Sequence, residues 1–290
     1  MSRHPPPPAL SEAPLAPGLY LVATPIGNLR DITLRALDVL FAADMVLAED
    51  TRVTAKLLNA FGLSKKLERY DEHAADRAAP KVLKALAEDA RVALVSDAGT
   101  PLVSDPGSRL AIAAIAQGSA VYPIPGASAL LAGLSVAGLP TDRFLFAGFP
   151  PAKSAARRTF LEELAGVRAT LVFFEGASRV AASLADMAAV FGAREAAVAR
   201  ELTKLYETVV RGPLDQLAAD PDFTAPKGEF VIVVAPGRDE AASPADTDQA
   251  LIDALKRLRP AEAAAEVAKA FGLPRRDLYR RAMEMRGAKP

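Results

Sequence analysis

Short apolar runs alternate with amphipathic stretches along the first half of the chain. Leu19 to Thr24 reads as a buried strand, and Pro25-Ile26-Gly27-Asn28 turns from it into a helix from about Thr33 to Ala42, capped by Asp31 or Thr33. The unit then repeats. Met45 to Ala48 predicts a short strand, Thr51 to Phe61 a helix, Ala79 to Ala90 a helix, Arg91 to Ser96 a strand, Ser108 to Gln117 a helix and Ala120 to Ile124 a strand. Such alternation predicts a mainly parallel sheet with helices on its faces.

Gly138-Leu139-Pro140-Thr141-Asp142 is a cluster of breakers and sets a boundary, with Phe144 to Gly148 opening a second unit. There Thr170 to Glu175, Glu195 to Arg200 and Phe230 to Ala235 predict strands. Ala155 to Leu164 and Ser178 to Val190 predict helices, and Thr203 to Gly212 a strand or extended arm. Beyond Gly237, Ala241-Ala242-Ser243-Pro244 reads as a linker into two or three helices over about Thr247 to Met285, with Gly272-Leu273-Pro274 as a turn of helix-turn-helix length. The expected organisation is a disordered tail over 1–17, rich in Pro, Ala and Ser, then α/β domains over 18–140 and 141–238 and a helical segment over 245–290. The length of 290 residues suits two compact domains with a small third piece.

Charge refines this picture. Lys plus Arg and Asp plus Glu both number 35, so the whole chain lacks the basic excess of a protein that grips bare nucleic acid by charge alone. Residues 245–290 differ, with ten Lys or Arg against seven Asp or Glu, and Arg275, Arg276, Arg280 and Arg281 fall in the final helix. That cluster is either a solvated face or a local contact for RNA. The chain has no cysteine, which excludes disulfides, thiolate metal sites and a cysteine nucleophile. With His4 and His73 the only histidines, a multi-histidine metal site is not expected. No apolar run approaches the roughly 20 residues that span a bilayer, and no signal-peptide pattern opens the chain, so the expectation is a soluble cytoplasmic protein.

Three loops carry the candidate chemistry. The strand Val92 to Val95 runs into Ser96-Asp97-Ala98-Gly99-Thr100-Pro101, the strand ending at Ile124 runs into Pro125-Gly126-Ala127-Ser128-Ala129, and the first strand runs into Thr24 to Leu29. Small and turn-forming residues at successive strand ends let backbone approach a ligand at the carboxyl edge of a parallel sheet. The plainer alternative for the loop after Val95 is an ordinary strand-to-helix turn capped by Asp105. No Gly-x-Gly occurs anywhere, so the dinucleotide fingerprint, the usual glycine-rich methyltransferase loop and a phosphate loop are all missing.

The runs Leu21 to Leu29, Ala48 to Arg52, Ser96 to Pro101, Pro123 to Ser128 and Arg200 to Lys204, in that order, resemble those of the ribosomal small-subunit RNA 2′-O-methyltransferase I family. The likeness covers about residues 18 to 286. It implies a tetrapyrrole-methylase-like α/β fold whose two domains enclose S-adenosylmethionine in the cleft between them, with a small C-terminal helical segment and usually a homodimer. It also implies that Pro25, Gly27, Asp97, Gly99, Thr100, Ser128, Ala129, Glu201 and Leu202 hold the cofactor, and that Phe174, Glu229 and Phe230 border its adenosine. The implied partner is small-subunit ribosomal RNA within the assembled 30S subunit, with a cytidine 2′-hydroxyl as acceptor and neither DNA nor membrane as partner. Two departures stand out. Phe173-Phe174-Glu175-Gly176-Ala177-Ser178-Arg179 replaces the family's Phe-Tyr-Glu-Ser-Pro-His-Arg, and Asp71-Glu72-His73-Ala74 replaces a His-Glu-His-Asn run.

For chemistry on a weakly acidic ribose hydroxyl, a positioned base or cation would help, and Glu49, Asp50, Arg52 and Lys204 are the candidates. Asp50 and Arg52 could equally form a helix cap and ion pair, Lys204 could be a surface lysine, and His73 reads as a loop residue rather than a base. Rival functions are tetrapyrrole carbon methylation on the same fold, a non-catalytic RNA-binding assembly factor, and a sugar-phosphate or nucleotide enzyme. The basic tail and the glycine-poor first loop favour RNA over a tetrapyrrole.

Overall fold

The computed structural model describes residues 11, 14–71, 74–103, 107–224, 226–237, 244–271 and 273–287. Most of the proline-rich tail, His73, Asp105, the linker residues Ala241 to Ser243 and Gly272 lie outside them. The described residues of 1–165 and 169–235 form one compact unit, and those of 166–168 and 236–290 form a second.

The first sheet is parallel throughout. Strands β1 (Gly18–Val22), β2 (Met45–Ala48), β3 (Leu67–Arg69), β4 (Arg91–Val95) and β5 (Val121–Ile124) lie in the order β3-β2-β4-β1-β5. Val92, Ala93, Leu94 and Val95 are all buried, as expected where helices cover both faces of a parallel sheet. On one face Leu40 and Val39 of α1 (Leu34–Ala42) pack with Tyr20, Val22 and Val46; on the other Val82 and Leu86 of α3 (Ala75–Ala87) and Leu110 of α4 (Ser108–Ala116) pack with Leu19, Leu47 and Leu94. Between β2 and β3 runs α2 (Thr51–Ala60). Helix α3 starts four residues before the expected Ala79, with Pro80 inside it and Ala75 buried in the core; sequence rules take such a proline as a helix boundary.

The second sheet is mixed. Strands β6 (Phe144–Gly148), β7 (Thr170–Gly176), β8 (Glu195–Arg200), β9 (Thr208–Pro213) and β10 (Glu229–Val234) lie in the order β6-β7-β10-β8-β9, antiparallel except for β6 with β7. Helix α5 (Ala129–Ala137) precedes the breaker cluster yet buries Leu134 and Ala137 against Val172, Ala197 and Val231 of this sheet. Gly133 permits the approach, since a Cβ there would stand 2.5 Å from Val231 Cγ1. Arg211 of β9 donates to the Val136 carbonyl from Nε and Nη2, at 3.1 and 2.5 Å. The passage between the sheets therefore begins before α5, ahead of the expected boundary at 138–142. On the outer face α6 (Ser154–Leu164) and α7 (Val180–Phe191) are tied by a buried ion pair, Arg157 Nη2 to Asp186 Oδ2 at 2.7 Å, to which Ser154 and Arg158 also donate. A short α8 (Leu214–Ala219) follows β9.

The C-terminal unit holds α9 (Pro244–Leu255), α10 (Pro260–Phe271) and α11 (Arg275–Gly287). They share a small core of Leu251, Ala254, Ala263, Ala264, Val267, Leu278 and Ala282. Among the described residues no helix is long and apolar enough to cross a membrane, and no group of His, Cys, Asp or Glu could hold a metal ion.

Candidate active site

Because the first sheet is parallel, the carboxyl ends of β1, β2, β4 and β5 share one edge, and the loops leaving them are braced together there. The Thr24 amide donates to the Gly99 carbonyl at 2.9 Å and the Gly99 amide donates back to Thr24 at 3.0 Å, joining the loops after β1 and β4. The Thr24 hydroxyl also donates to the Ser96 carbonyl at 3.1 Å. Thr100 Oγ1 donates to the Ala127 carbonyl at 3.3 Å, which adds the loop after β5. Gly99 sits at φ +80°, a left-handed conformation that favours glycine, with Ile26 packed over it. The loop after β2 is held by its Asp50 amide, which donates to Asp97 Oδ1 at 2.9 Å.

Facing these loops are residues at the β7, β10 and β8 ends of the second sheet, where Glu229 pairs with Gly176, Phe230 with Glu175 and Val231 with Phe174. Phe174 packs edge-on against Phe146 and Phe149, with ring centroids 4.7 and 5.6 Å apart. After β8 the chain turns sharply, with Glu201 at φ 52° and Thr203 at φ 67°. The expected arm over Thr203 to Gly212 is therefore a tight turn first and a strand only from Thr208. Lys204 in this turn donates to Glu201 Oε1 at 2.8 Å and to Glu229 Oε2 at 2.9 Å. Its aliphatic stem occupies the place a Cβ on Gly27 would need, and Glu201 likewise crowds Gly228.

Two adjoining cavities, each of about 380 Å³, open at this edge. The first brings together Asp97, Gly99, Thr100, Ser128, Ala129, Phe174, Leu202, Glu229 and Phe230 from the expected cofactor set, together with Glu49. Pro25, Gly27 and Lys204 line the second, which shares Ile26, Asp97, Ala98 and Glu229 with the first. Glu201 lines neither; its Oε1 accepts from Lys204 Nζ and from the Glu229 amide, the latter at 3.0 Å. Asp50 and Arg52 also line neither cavity. Asp50 caps α2 by accepting from the Arg52 amide at 2.8 Å and pairs with the Arg52 guanidinium, whose side chain is 85% exposed. Glu175 and Gly176 at the end of β7, Phe149 just past the end of β6 and Val103 in the loop after β4 also border the first cavity, and none of them is in the expected cofactor set.

The site's electrostatics separate its charged groups. Burial first, and then the nearby Asp97 carboxylate, raise the Glu49 carboxyl above its ordinary value, against a hydrogen bond from the Asp97 backbone. Burial would lower the Lys204 ammonium, but its bonds to Glu201 and Glu229 outweigh that and raise it. Glu201 is correspondingly lowered, chiefly by its hydrogen bond from Lys204. Lys204 thus stays protonated at neutral pH and makes a poor proton acceptor, whereas Glu49 can take up a proton more readily than an ordinary carboxylate.

Residues 18–218 match the family described as Tetrapyrrole (Corrin/Porphyrin) Methylases, and residues 241–286 match the RsmI C-terminal HTH domain. Among curated relatives, the ribosomal RNA small subunit methyltransferase I of Erythrobacter litoralis is 52% identical over 276 residues, 95% of this chain and 98% of its own length. The protein of the same name from Halalkalibacterium halodurans is 42% identical, covering 90% of this chain and 93% of its own. Solved structures share the fold at low identity. The cobalt precorrin-4 methyltransferase CbiF superposes with TM-score 0.55 at 16% identity over 75% of this chain and 94% of its own. The uroporphyrin-III-C-methyltransferase of Thermus thermophilus does so with TM-score 0.53 at 23% identity over 74% and 93%. The chain belongs to the ribosomal RNA small subunit methyltransferase I family, within the tetrapyrrole methylases.

Proposed function

We propose that this chain methylates the ribose 2′-hydroxyl of a cytidine in bacterial small-subunit ribosomal RNA, with S-adenosylmethionine as methyl donor. The observation that carries the reading is the first cavity: four carboxylates, from Glu49, Asp97, Glu175 and Glu229, and three phenyl rings, from Phe149, Phe174 and Phe230, around braced loops with no cation among the lining residues. That donor set fits S-adenosylmethionine. Carboxylates answer its sulfonium and ammonium charges, the apolar wall suits its adenine, and a phosphate-bearing cofactor would find no counter-charge. Asp97, Gly99, Thr100, Ser128 and Ala129 would hold it from the first sheet and Phe174, Leu202 and Phe230 from the second.

When bound, S-adenosylmethionine supplies a methyl carbon already activated by the adjacent positive sulfur. The protein's own contribution is alignment and proton management. Loops fixed by the Thr24–Gly99 and Thr100–Ala127 bonds hold the cofactor groups still, an entropic contribution of about several kcal/mol when the acceptor oxygen is equally fixed. Glu49 takes the hydroxyl proton, because its raised carboxyl is the better matched acceptor. Lys204, held charged between Glu201 and Glu229, stabilises negative charge developing on the acceptor oxygen.

The same reading places the enzyme in the bacterial cytoplasm, acting on the assembled 30S subunit through its C-terminal helices. A homodimer is supported by the apolar pair Ile112 and Ile115 on α4, which are 67% and 62% exposed. The deciding experiment is transfer of labelled methyl from S-adenosylmethionine to small subunits that lack the modification, with the product mapped to base or ribose. Label recovered as 2′-O-methylcytidine is the expected result. Unlabelled RNA from a protein that binds S-adenosylmethionine would sink the reading and make a small tetrapyrrole acceptor the alternative.

A further inference from the structure

We propose that the second cavity is the acceptor pocket, taking one unstacked nucleotide with its base against α2 and a backbone phosphate on Lys56. The inference rests on the methylation reading above and adds which residues hold the RNA. The two cavities share Ile26, Asp97, Ala98 and Glu229, so ligands in both would meet across that wall, as donor and acceptor must. Their chemistry differs. Lysines line only the second, where Lys56 and Lys204 both face the space.

Those two lysines are not equivalent. Lys204 is engaged by Glu201 and Glu229, whereas Lys56 is exposed and has no hydrogen bond or ion pair among the described residues. A free cation at the mouth of a cavity that adjoins a carboxylate-lined one calls for an anionic ligand, and the phosphate of a nucleotide supplies it. On α2, Val53, Lys56 and Leu57 recur at three- and four-residue spacing and so share one helix face. Val53 and Leu29 remain 39% and 48% exposed beside the cavity although both are apolar. An apolar strip next to a lysine suits the flat face of an unstacked base with its phosphate alongside, the form in which RNA is read most directly. The cavity's ≈ 380 Å³ is within the range of about 300–1,000 Å³ typical of small-molecule sites.

Three variants test this in the full-length protein, with calorimetry for S-adenosylmethionine binding and labelled methyl transfer to unmodified small subunits. Val53→Trp fills the cavity from its rim. It should leave cofactor affinity within about threefold while methyl transfer falls about 100-fold, the size of effect that misplacing a reactant gives. Lys56→Ala, a change at an exposed position that spares the core, should raise KM for subunits about fivefold at nearly unchanged kcat, and should lower the slope of log affinity against log salt by about 1; Lys56→Arg should restore both. A tenfold loss of S-adenosylmethionine affinity in Val53→Trp would assign the cavity to the cofactor instead. An unchanged salt slope in Lys56→Ala would remove the phosphate contact. Wild-type protein that labels no RNA would overturn the methylation reading and this one with it; wild-type labelling matched by Val53→Trp would overturn this one alone.

Discussion

The two sheets of the larger unit contribute to the same site by different means. In the parallel sheet every strand ends at one edge, so β1, β2, β4 and β5 each deliver a loop there, and those loops bring Glu49, Asp97, Gly99 and Thr100. In the mixed sheet, neighbouring strands run in opposite directions, and the site takes the end of β7, the turn after β8 and the start of β10. Its contribution is a wall of Phe174, Leu202, Phe230 and Val231 with Glu229 at its edge. The first sheet thus supplies fixed polar groups and the second an apolar face, and lesions on the two sides should separate into loss of chemistry and loss of binding.

The largest expected effect is on the polar side. Glu49→Gln keeps shape and hydrogen-bonding capacity but cannot accept the proton, so methyl transfer should drop at least about 100-fold with cofactor affinity within about threefold. The pH profile sharpens the test. In the proposed role Glu49 acts as the carboxylate, and its raised pKa means that wild-type activity should fall, on acidification, at a higher pH than an ordinary glutamate would give. That acid limb should vanish in Glu49→Gln, and a limb that persists would transfer the role to another group.

Helix α5 belongs to both sides, since Ser128 and Ala129 at its start line the site while its body packs on β10. Gly133→Val would drive a side chain into Val231, and overpacking of this kind costs about 2 kcal/mol or more. Denaturant unfolding should record that loss together with weaker cofactor binding. The double variant Gly133→Val with Val231→Ala should recover much of both, because the two residues are in contact; additive losses would mean that the helix position does not depend on this contact.

How much was legible in the sequence follows the same division. The strand-loop-helix rhythm gives β1, β2, β4 and β5 nearly at their observed limits, and with them the three loops of the polar side. Strand β3, Leu67–Arg69, has no apolar run to announce it. On the other side, Glu175 and Gly176 reach the cavity through the pairing of β7 with β10, and Phe149 through the position of the end of β6 beside β7, which no local pattern encodes. The turn after Glu201 needs left-handed backbone at two residues other than glycine, so periodicity alone reads it as an extended arm. Family resemblance supplied Phe174, Leu202 and Phe230, where local rules had nothing to offer. Asp50 and Arg52 illustrate the converse, because a motif at a strand end suggests chemistry equally well when its residues cap a helix.

The binding side should respond to Phe174→Ala. Removing a ring that packs against Phe146 and Phe149 and lines the first cavity exposes roughly 1.4 kcal/mol of apolar contact, so the cofactor Kd should rise about tenfold while kcat at saturating cofactor stays close to wild type. A fall in kcat as large as that of Glu49→Gln would erase the distinction between the two sheets.

The smallest effect belongs to the C-terminal unit, where the five arginines of the final helix are not alike. Arg281 is bound by Asp248 and Glu284, and Arg280 by Asp277, whereas Arg276 is exposed and makes no ion pair among the described residues. Only an unengaged arginine can exchange solvent counterions for RNA phosphates at little cost. Arg276→Glu should therefore weaken binding of small subunits severalfold, in a salt-dependent way, and leave S-adenosylmethionine affinity unchanged. Arg281→Ala should instead loosen the contact between α9 and α11 and lower the thermal stability of that unit. Equal salt dependence for Arg276→Glu and wild type would mean that the exposed arginine is solvated surface, and RNA contact by the C-terminal helices would have to come from another face.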